Sequence, residues 1–116
     1  MTFFRDNLLA LSPEAIDELV APVLEEILKR ASPQKVILFG SATAGRFDER
    51  SDLDFAVVVD DGTSISEVTT RLYRIRLLSM VGLDFVVVPE SRFNEMKDIG
   101  GVLYVAHHEG KLLYAK

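Results

Sequence analysis

The 116-residue sequence contains no cysteine, which removes disulfides, thiolate zinc sites and cysteine nucleophiles in one step. No apolar run approaches the roughly 20 residues that a membrane helix needs. The first residues, MTFFRDNLLALSPE, lack the basic start, apolar stretch and small-residue cleavage site of a signal peptide. A cytoplasmic protein is therefore the expectation. Basic excess is missing too: 13 Lys and Arg stand against 18 Asp and Glu, for a formal charge of -5. Without a positive field, non-specific nucleic-acid binding is disfavoured. No repeat, linker or low-complexity tract interrupts the chain. What is present is 48% hydrophobic and 27% charged residues, the balance of a single globular domain over residues 1–116. Such a domain buries about 65% of its unfolded surface, enough for a core without staples.

Ser12-Pro13-Glu14 reads as a helix start, with a capping hydroxyl, a proline at the first helical position and an acid favourable to the dipole. Ile16, Leu19, Val20, Val23, Leu24, Ile27 and Leu28 form one apolar stripe at helical period. Pro22 predicts a break or kink near Val20 to Ala21, with a second segment ending by Arg30. Val36 to Phe39 reads as a buried strand, residues 40–51 as a loop opening with one helical turn, and Asp52 to Val59 as the next strand. After the turn Asp60-Asp61-Gly62, Thr63 or Ser64 caps a helix whose face carries Ile65, Val68, Leu72, Ile75 and Ser79, ending near Gly82. Leu83 to Val88 is a third strand. Ser91 is expected to cap a last helix through Met96, Ile99, Val102 and Leu103 to about His107, with Gly100-Gly101 as a point of division. Leu112 to Tyr114 is a candidate terminal strand. The order implies an α/β (α+β) unit: a small mixed sheet flanked by helices.

The informative residues are Gly40-Ser41, Gly45, Ser51-Asp52-Leu53-Asp54 at the mouth of one strand, and Leu83-Asp84 at the mouth of another. Strand side chains alternate, so Asp52 and Asp54 project to one side of the sheet. Leu83-Asp84-Phe85-Val86-Val87-Val88 closely repeats Leu53-Asp54-Phe55-Ala56-Val57-Val58. If the two strands pair, three carboxylates converge. Ionised and about 4 Å apart, they would repel by roughly 4 kcal/mol per pair at an effective dielectric of 20. Hard oxygen donors without a nearby histidine suit magnesium or manganese, and two such ions are the usual clamp for in-line phosphoryl displacement. Gly40 lets the backbone approach a phosphate, and the following turn and Ser41 hydroxyl donate to its oxygens.

The stretch GSATAGRFDERSDLDFAVVV resembles the signature of the DNA polymerase beta-like nucleotidyltransferase superfamily, in which Gly-Ser is followed about ten residues later by Asp-x-Asp on a strand. The length and the single later aspartate look like its smallest branch, the minimal nucleotidyltransferases paired with HEPN proteins in toxin–antitoxin systems. The resemblance covers roughly residues 12–110 and implies that fold. It implies that Gly40 and Ser41 hold the triphosphate of ATP, and that Asp52, Asp54 and Asp84 bind two Mg2+ ions, with Mn2+ an alternative. It also implies that Asp84 takes the acceptor's proton, and that AMP passes to a tyrosine hydroxyl of a cognate HEPN toxin, making this chain the antitoxin. The loop departs from the commonest pattern in carrying Ala42 and Ala44 where members often have arginines. Its own arginine is Arg46, to which no role is assigned.

Two alternatives stand beside the enzyme: a binding module that neutralises its partner by occlusion, and a nucleotidyltransferase acting on a small molecule, as in aminoglycoside-modifying relatives. The other polar clusters read as structural. His107-His108-Glu109 sits near a helix C-terminus, where the dipole favours imidazole and adjacent side chains diverge by about 100°. Arg71, Arg74 and Arg76 with Tyr73 read as a solvated helix face, Asp48, Glu49 and Arg50 as loop solvation, and Asp60-Asp61 as a turn.

Overall fold

Residues 11–48 and 50–116 are described by a computed structural model. The stretch MTFFRDNLLA and Glu49, both read above, lie outside the described residues. Helix α1 (Pro13–Ala31) starts as expected, with the Ser12 hydroxyl accepting from the Ala15 amide at 3.1 Å. Pro22 does not break it. An interior proline costs about 3 kcal/mol, but Ile16, Val20, Val23 and Ile27 are buried along the stripe on both sides of it. Each such side chain returns about 1.5–3 kcal/mol on burial, so packing outweighs the missing hydrogen bond.

Strands β1 (Lys35–Phe39), β2 (Leu53–Val59), β3 (Leu83–Pro89) and β4 (Lys111–Ala115) form one mixed sheet in the order β3-β2-β1-β4. β1 is antiparallel to β2 and β4, whereas β2 and β3 run parallel. A parallel pair needs a crossover, and α2 (Ile65–Arg76) supplies it. Ser64, not Thr63, caps α2 by accepting from the Glu67 amide at 3.3 Å.

Helix α2 stops at Arg76, short of the expected end near Gly82. Ser79, placed on its apolar face by the sequence, lies beyond it. The Ser79 hydroxyl donates to the Val81 carbonyl at 2.8 Å and accepts from the Val81 amide at 3.1 Å, a local closure that competes with a helical turn. Nothing apolar covers the next turn either: Leu77 is 85% exposed and Met80 fully so.

The predicted last helix is two helices, α3 (Glu90–Met96) and α4 (Gly101–Glu109), divided at the Gly100-Gly101 pair. Ser91 does not cap α3. Its amide donates instead to the Asp61 carboxylate at 2.9 Å, so the acid read as a plain turn residue serves the helix start from a distance in sequence. Ile99 and Val102, expected on the apolar face, are exposed, because the division turns them away from the sheet.

Alternation along the strands builds two cores. Val36, Leu38, Phe55, Val57 and Val59 pack against α1 and α2, with Leu72 and Ile75. Ile37, Phe39, Ala56, Val58 and Val88 pack on the other side with Phe93, Leu103 and Ala106. Both faces are covered, which is why the central strands read as unbroken apolar runs. No helix among the described residues is long and apolar enough to cross a membrane.

Candidate active site

β2 begins at Leu53, so Asp52 flanks the strand and Asp54 is its second residue. Parallel pairing sets Leu53 opposite Leu83 and Asp54 opposite Asp84, and the antiparallel pair sets Phe39 opposite Asp54. The near-repeat noted in the sequence is thus a side-by-side register. Asp54 and Asp84 share the parity of Ala56, Val58 and Val88, and so project toward the side of the sheet covered by α3 and α4. Like charges set opposite one another at the inter-strand spacing of about 4.8 Å repel by roughly 3 kcal/mol at an effective dielectric of 20. The exposure of Asp84 screens part of that.

Two glycines complete the arrangement. Gly40 opens the short 3-10 turn Gly40–Ala42 at the end of β1 and is left-handed, with φ +78. A Cβ there would strike the Asp54 carboxylate. Gly82, just before β3, stands in the same relation to Asp52, whose Cγ would lie 2.7 Å from an added Cβ. The Gly82 carbonyl also accepts from the Leu53 amide at 2.9 Å, tying the mouths of β2 and β3 together. Each carboxylate therefore lies against bare backbone where only hydrogen fits.

Sequence reasoning used Gly82 only as a helix end. The available signal was its place two residues before Asp84, matching the place of Asp52 before Asp54.

The loop between Ser41 and Asp52 is more ordered than its charged composition suggests. Thr43 donates to the Gly40 carbonyl at 3.1 Å, and the Arg46 amide to the Ser41 carbonyl at 3.2 Å. Phe47 is 1% exposed and plugs the core beneath α1. The Asp48 carboxylate accepts from the Arg50 amide at 2.8 Å and from the Ser51 hydroxyl at 3.3 Å, shaping the turn into Asp52. An open cleft of about 310 Å³ borders Asp52, lined by Phe47, Asp48, Ser51, Met80, Val81 and Gly82 among others.

Burial, and after it the charges of Asp84 and then Asp52, raise the Asp54 carboxyl above its ordinary range. Among the described residues, none of the ion pairs involves Asp52, Asp54 or Asp84. The donor set is all carboxylate oxygen and carries a charge deficit, which fits hard divalent cations such as magnesium or manganese. The aspartates are nonetheless spread. Among the described residues, the trio whose ligand atoms all lie within 4.8 Å of one another is Asp98, His107 and His108.

The remaining polar clusters do not join this site. Arg71 pairs with Glu67 at 3.8 Å and Arg76 lies over the Tyr73 ring at 5.1 Å, on the outer face of α2. Asp60 accepts from the Gln34 side chain at the far end of β2.

Residues 23–116 match the profile of the family described as polymerase beta, nucleotidyltransferase. No curated protein matches the chain in sequence. Among solved structures, the fold is similar to a candidate nucleotidyltransferase from Sulfolobus solfataricus, at 16% identity and a TM-score of 0.61, with 90% of this chain and 84% of that one covered. It is similar as well to a chain of a toxin–antitoxin crystallised with AMP-PNP, at 20% identity and a TM-score of 0.53, with 82% of this chain and 73% of that one covered. At such identities the likeness is one of fold.

Proposed function

The chain belongs to the polymerase beta nucleotidyltransferase family, and from that premise we propose that it transfers AMP from ATP to a hydroxyl, releasing pyrophosphate. The observation that carries the reading is the register of β2 and β3, which sets Asp54 beside Asp84 at the strand mouths where Gly40 meets Asp54.

In this reading Asp52, Asp54 and Asp84 hold two magnesium ions, with manganese as a substitute. Bound there, the ions supply charge neutralisation on the transferring phosphate. The protein's own groups do the rest. Gly40 admits the triphosphate close to the backbone, and the Ser41 hydroxyl donates to a phosphate oxygen. Asp54, half-buried, is the fixed member of the set, while Asp84 is exposed and reachable by an incoming acceptor. As the acceptor oxygen bonds to the α-phosphorus, its proton passes to the Asp84 carboxylate, the bond from that phosphorus to the bridging oxygen breaks, and pyrophosphate departs.

For the acceptor we propose a tyrosine hydroxyl on a cognate HEPN-type toxin, which makes this chain an antitoxin acting in the cytoplasm. The similarity to a chain of a toxin–antitoxin carrying an ATP analogue supports this choice.

The test is transfer of α-labelled ATP to the candidate toxin with magnesium. Label on a toxin tyrosine, lost in Asp52→Ala and Asp54→Ala, is the expected result. Absence of transfer, or transfer that survives both substitutions, overturns the catalytic claim. Neutralisation in cells by the triple aspartate-to-alanine variant at wild-type strength assigns the effect to occlusion instead.

A further inference from the structure

The end of the chain carries side chains that the aspartate site does not use. Asp98 lies in the turn after α3, and the backbone then passes through an extended Gly100, φ 164, into a left-handed Gly101, φ +76, before α4 proceeds. Glycine is what permits the second of these conformations without strain. The detour lays the turn beside the last turns of α4, and the Asp98 carboxylate reaches His108 Nε2 at 2.9 Å.

Adjacent helical side chains diverge by about 100°, which in the sequence argued against pairing His107 with His108. The rings nonetheless lie with centroids 4.8 Å apart and planes at 78°. Each is braced from outside. His107 stands edge-on to Phe93 at 5.8 Å, and His108 lies over Tyr104 at 4.3 Å. One ligand atom from each of Asp98, His107 and His108 falls within 4.8 Å of the other two, and all three residues are exposed.

We propose that Asp98, His107 and His108 form a surface site for a borderline divalent transition-metal ion, zinc foremost, separate from the aspartate site. Two imidazoles and one carboxylate are the donor mixture that prefers zinc, nickel or copper to magnesium or calcium. Bonds of about 2.0–2.1 Å around a tetrahedral ion place neighbouring donors roughly 3.4 Å apart. Closing the cluster takes a shift of about an ångström, within the reach of exposed rotamers. Three protein ligands leave a fourth position for water. The ammonium groups of Lys97 and Lys35 act on His107 and oppose the ion, and the Asp98 carboxylate acts against them. Occupied, the site clips the turn between α3 and α4 to the far end of α4.

Isothermal titration of the untagged chain with zinc chloride, in excess magnesium so that the carboxylate site is saturated, tests the proposal. The expected result is uptake of one equivalent, weakened about tenfold or more by His107→Ala, by His108→Ala and by Asp98→Asn. The Asp52→Ala/Asp54→Ala variant should take up zinc as the unaltered chain does. Circular dichroism shows whether each variant keeps its helices, and Asp98→Asn, which keeps a hydrogen-bonding acceptor for His108, is the variant least able to act through folding. No uptake by the unaltered chain, uptake indifferent to the histidine substitutions, or uptake lost with Asp52 and Asp54 would overturn it.

Discussion

Replacing Gly82 with alanine separates the placement of Asp52 from the stability of the fold. Gly82 has no left-handed backbone to defend, so the added methyl group acts only through what it meets. It meets the Asp52 carboxylate, with Cγ at 2.7 Å and the second oxygen at 3.4 Å. Ordinary contact requires the nearer carboxylate oxygen to retreat by about 1.5 Å. Asp52 is exposed and precedes the strand, so it swings outward at an off-rotamer cost of about 0.5–1.5 kcal/mol. The loss of backbone freedom in the unfolded chain returns about 0.4–1 kcal/mol. The two nearly cancel, and the melting temperature should move by a few degrees at most. The proposed transfer has no such compensation, since a misplacement of about 1 Å costs on the order of 100-fold in rate, or about 2.7 kcal/mol of barrier. Calorimetry and the labelled-ATP assay, run on Gly82→Ala, Asp52→Ala and the double variant, complete a cycle. The methyl should cost nothing further once the carboxylate is gone. A Gly82→Ala enzyme within twofold of the unaltered rate, or a thermal penalty that persists without Asp52, refutes the reasoning.

Three further outcomes follow from the same geometry. Asp54 has a raised pKa, so its folded form holds a proton that the unfolded chain has already released; stability falls as pH climbs from the ordinary carboxylate value, 3.8, through the folded one, and stays lower above it. Asp54→Asn should therefore melt higher at neutral pH and, on the proposed chemistry, lose transfer; if magnesium binds as proposed, the unaltered chain should gain about 2.7 kcal/mol at 100 times the dissociation constant and the variant should not; an unchanged or lower melting point for the variant counts against the charge argument. Pro22→Ala restores a helical hydrogen bond in the unbroken α1 and should stabilise by about 1–3 kcal/mol, read as a shifted urea midpoint, with a decrease pointing to an essential role for the ring. Phe47→Ala should destabilise by about 3–5 kcal/mol and speed hydrogen exchange through residues 43–52, whereas a loss below 1 kcal/mol would mean the ring is not the plug described.

The strands were legible as short β-branched apolar runs bounded by turn residues, and the repeated Leu-Asp-Phe carries its own register, because parallel pairing needs only adjacency to set Asp54 beside Asp84. The start of α1 was legible because Ser-Pro-Glu places cap, ring and charge in consecutive positions. What the sequence misjudged depended on partners distant along the chain. The intact α1 across Pro22 reflects burial against the sheet, and the early end of α2 reflects a serine closing on Val81 with no apolar cover beyond. Phe47 was hidden in a run of charges. Asp61 reaches across to Ser91, and Asp98 to His108, by folds of the backbone that no local pattern records.

The side-by-side register of Leu53–Val59 with Leu83–Pro89 has a consequence for handling the protein. Segments this alike and this rich in β-branched residues can pair between unfolded chains as readily as within one, and Phe-Ala-Val-Val-Val and Phe-Val-Val-Val are apolar enough to stack into fibrils. Asp54 and Asp84 interrupt that stacking, because every added layer would set carboxylate upon carboxylate. The acids proposed for phosphate chemistry thus also act as gatekeepers of solubility. Alanine variants made to test the proposed site should refold in lower yield and scatter more light on heating than asparagine variants at the same positions, so a loss of function in the former has to be separated from a loss of dissolved, folded protein.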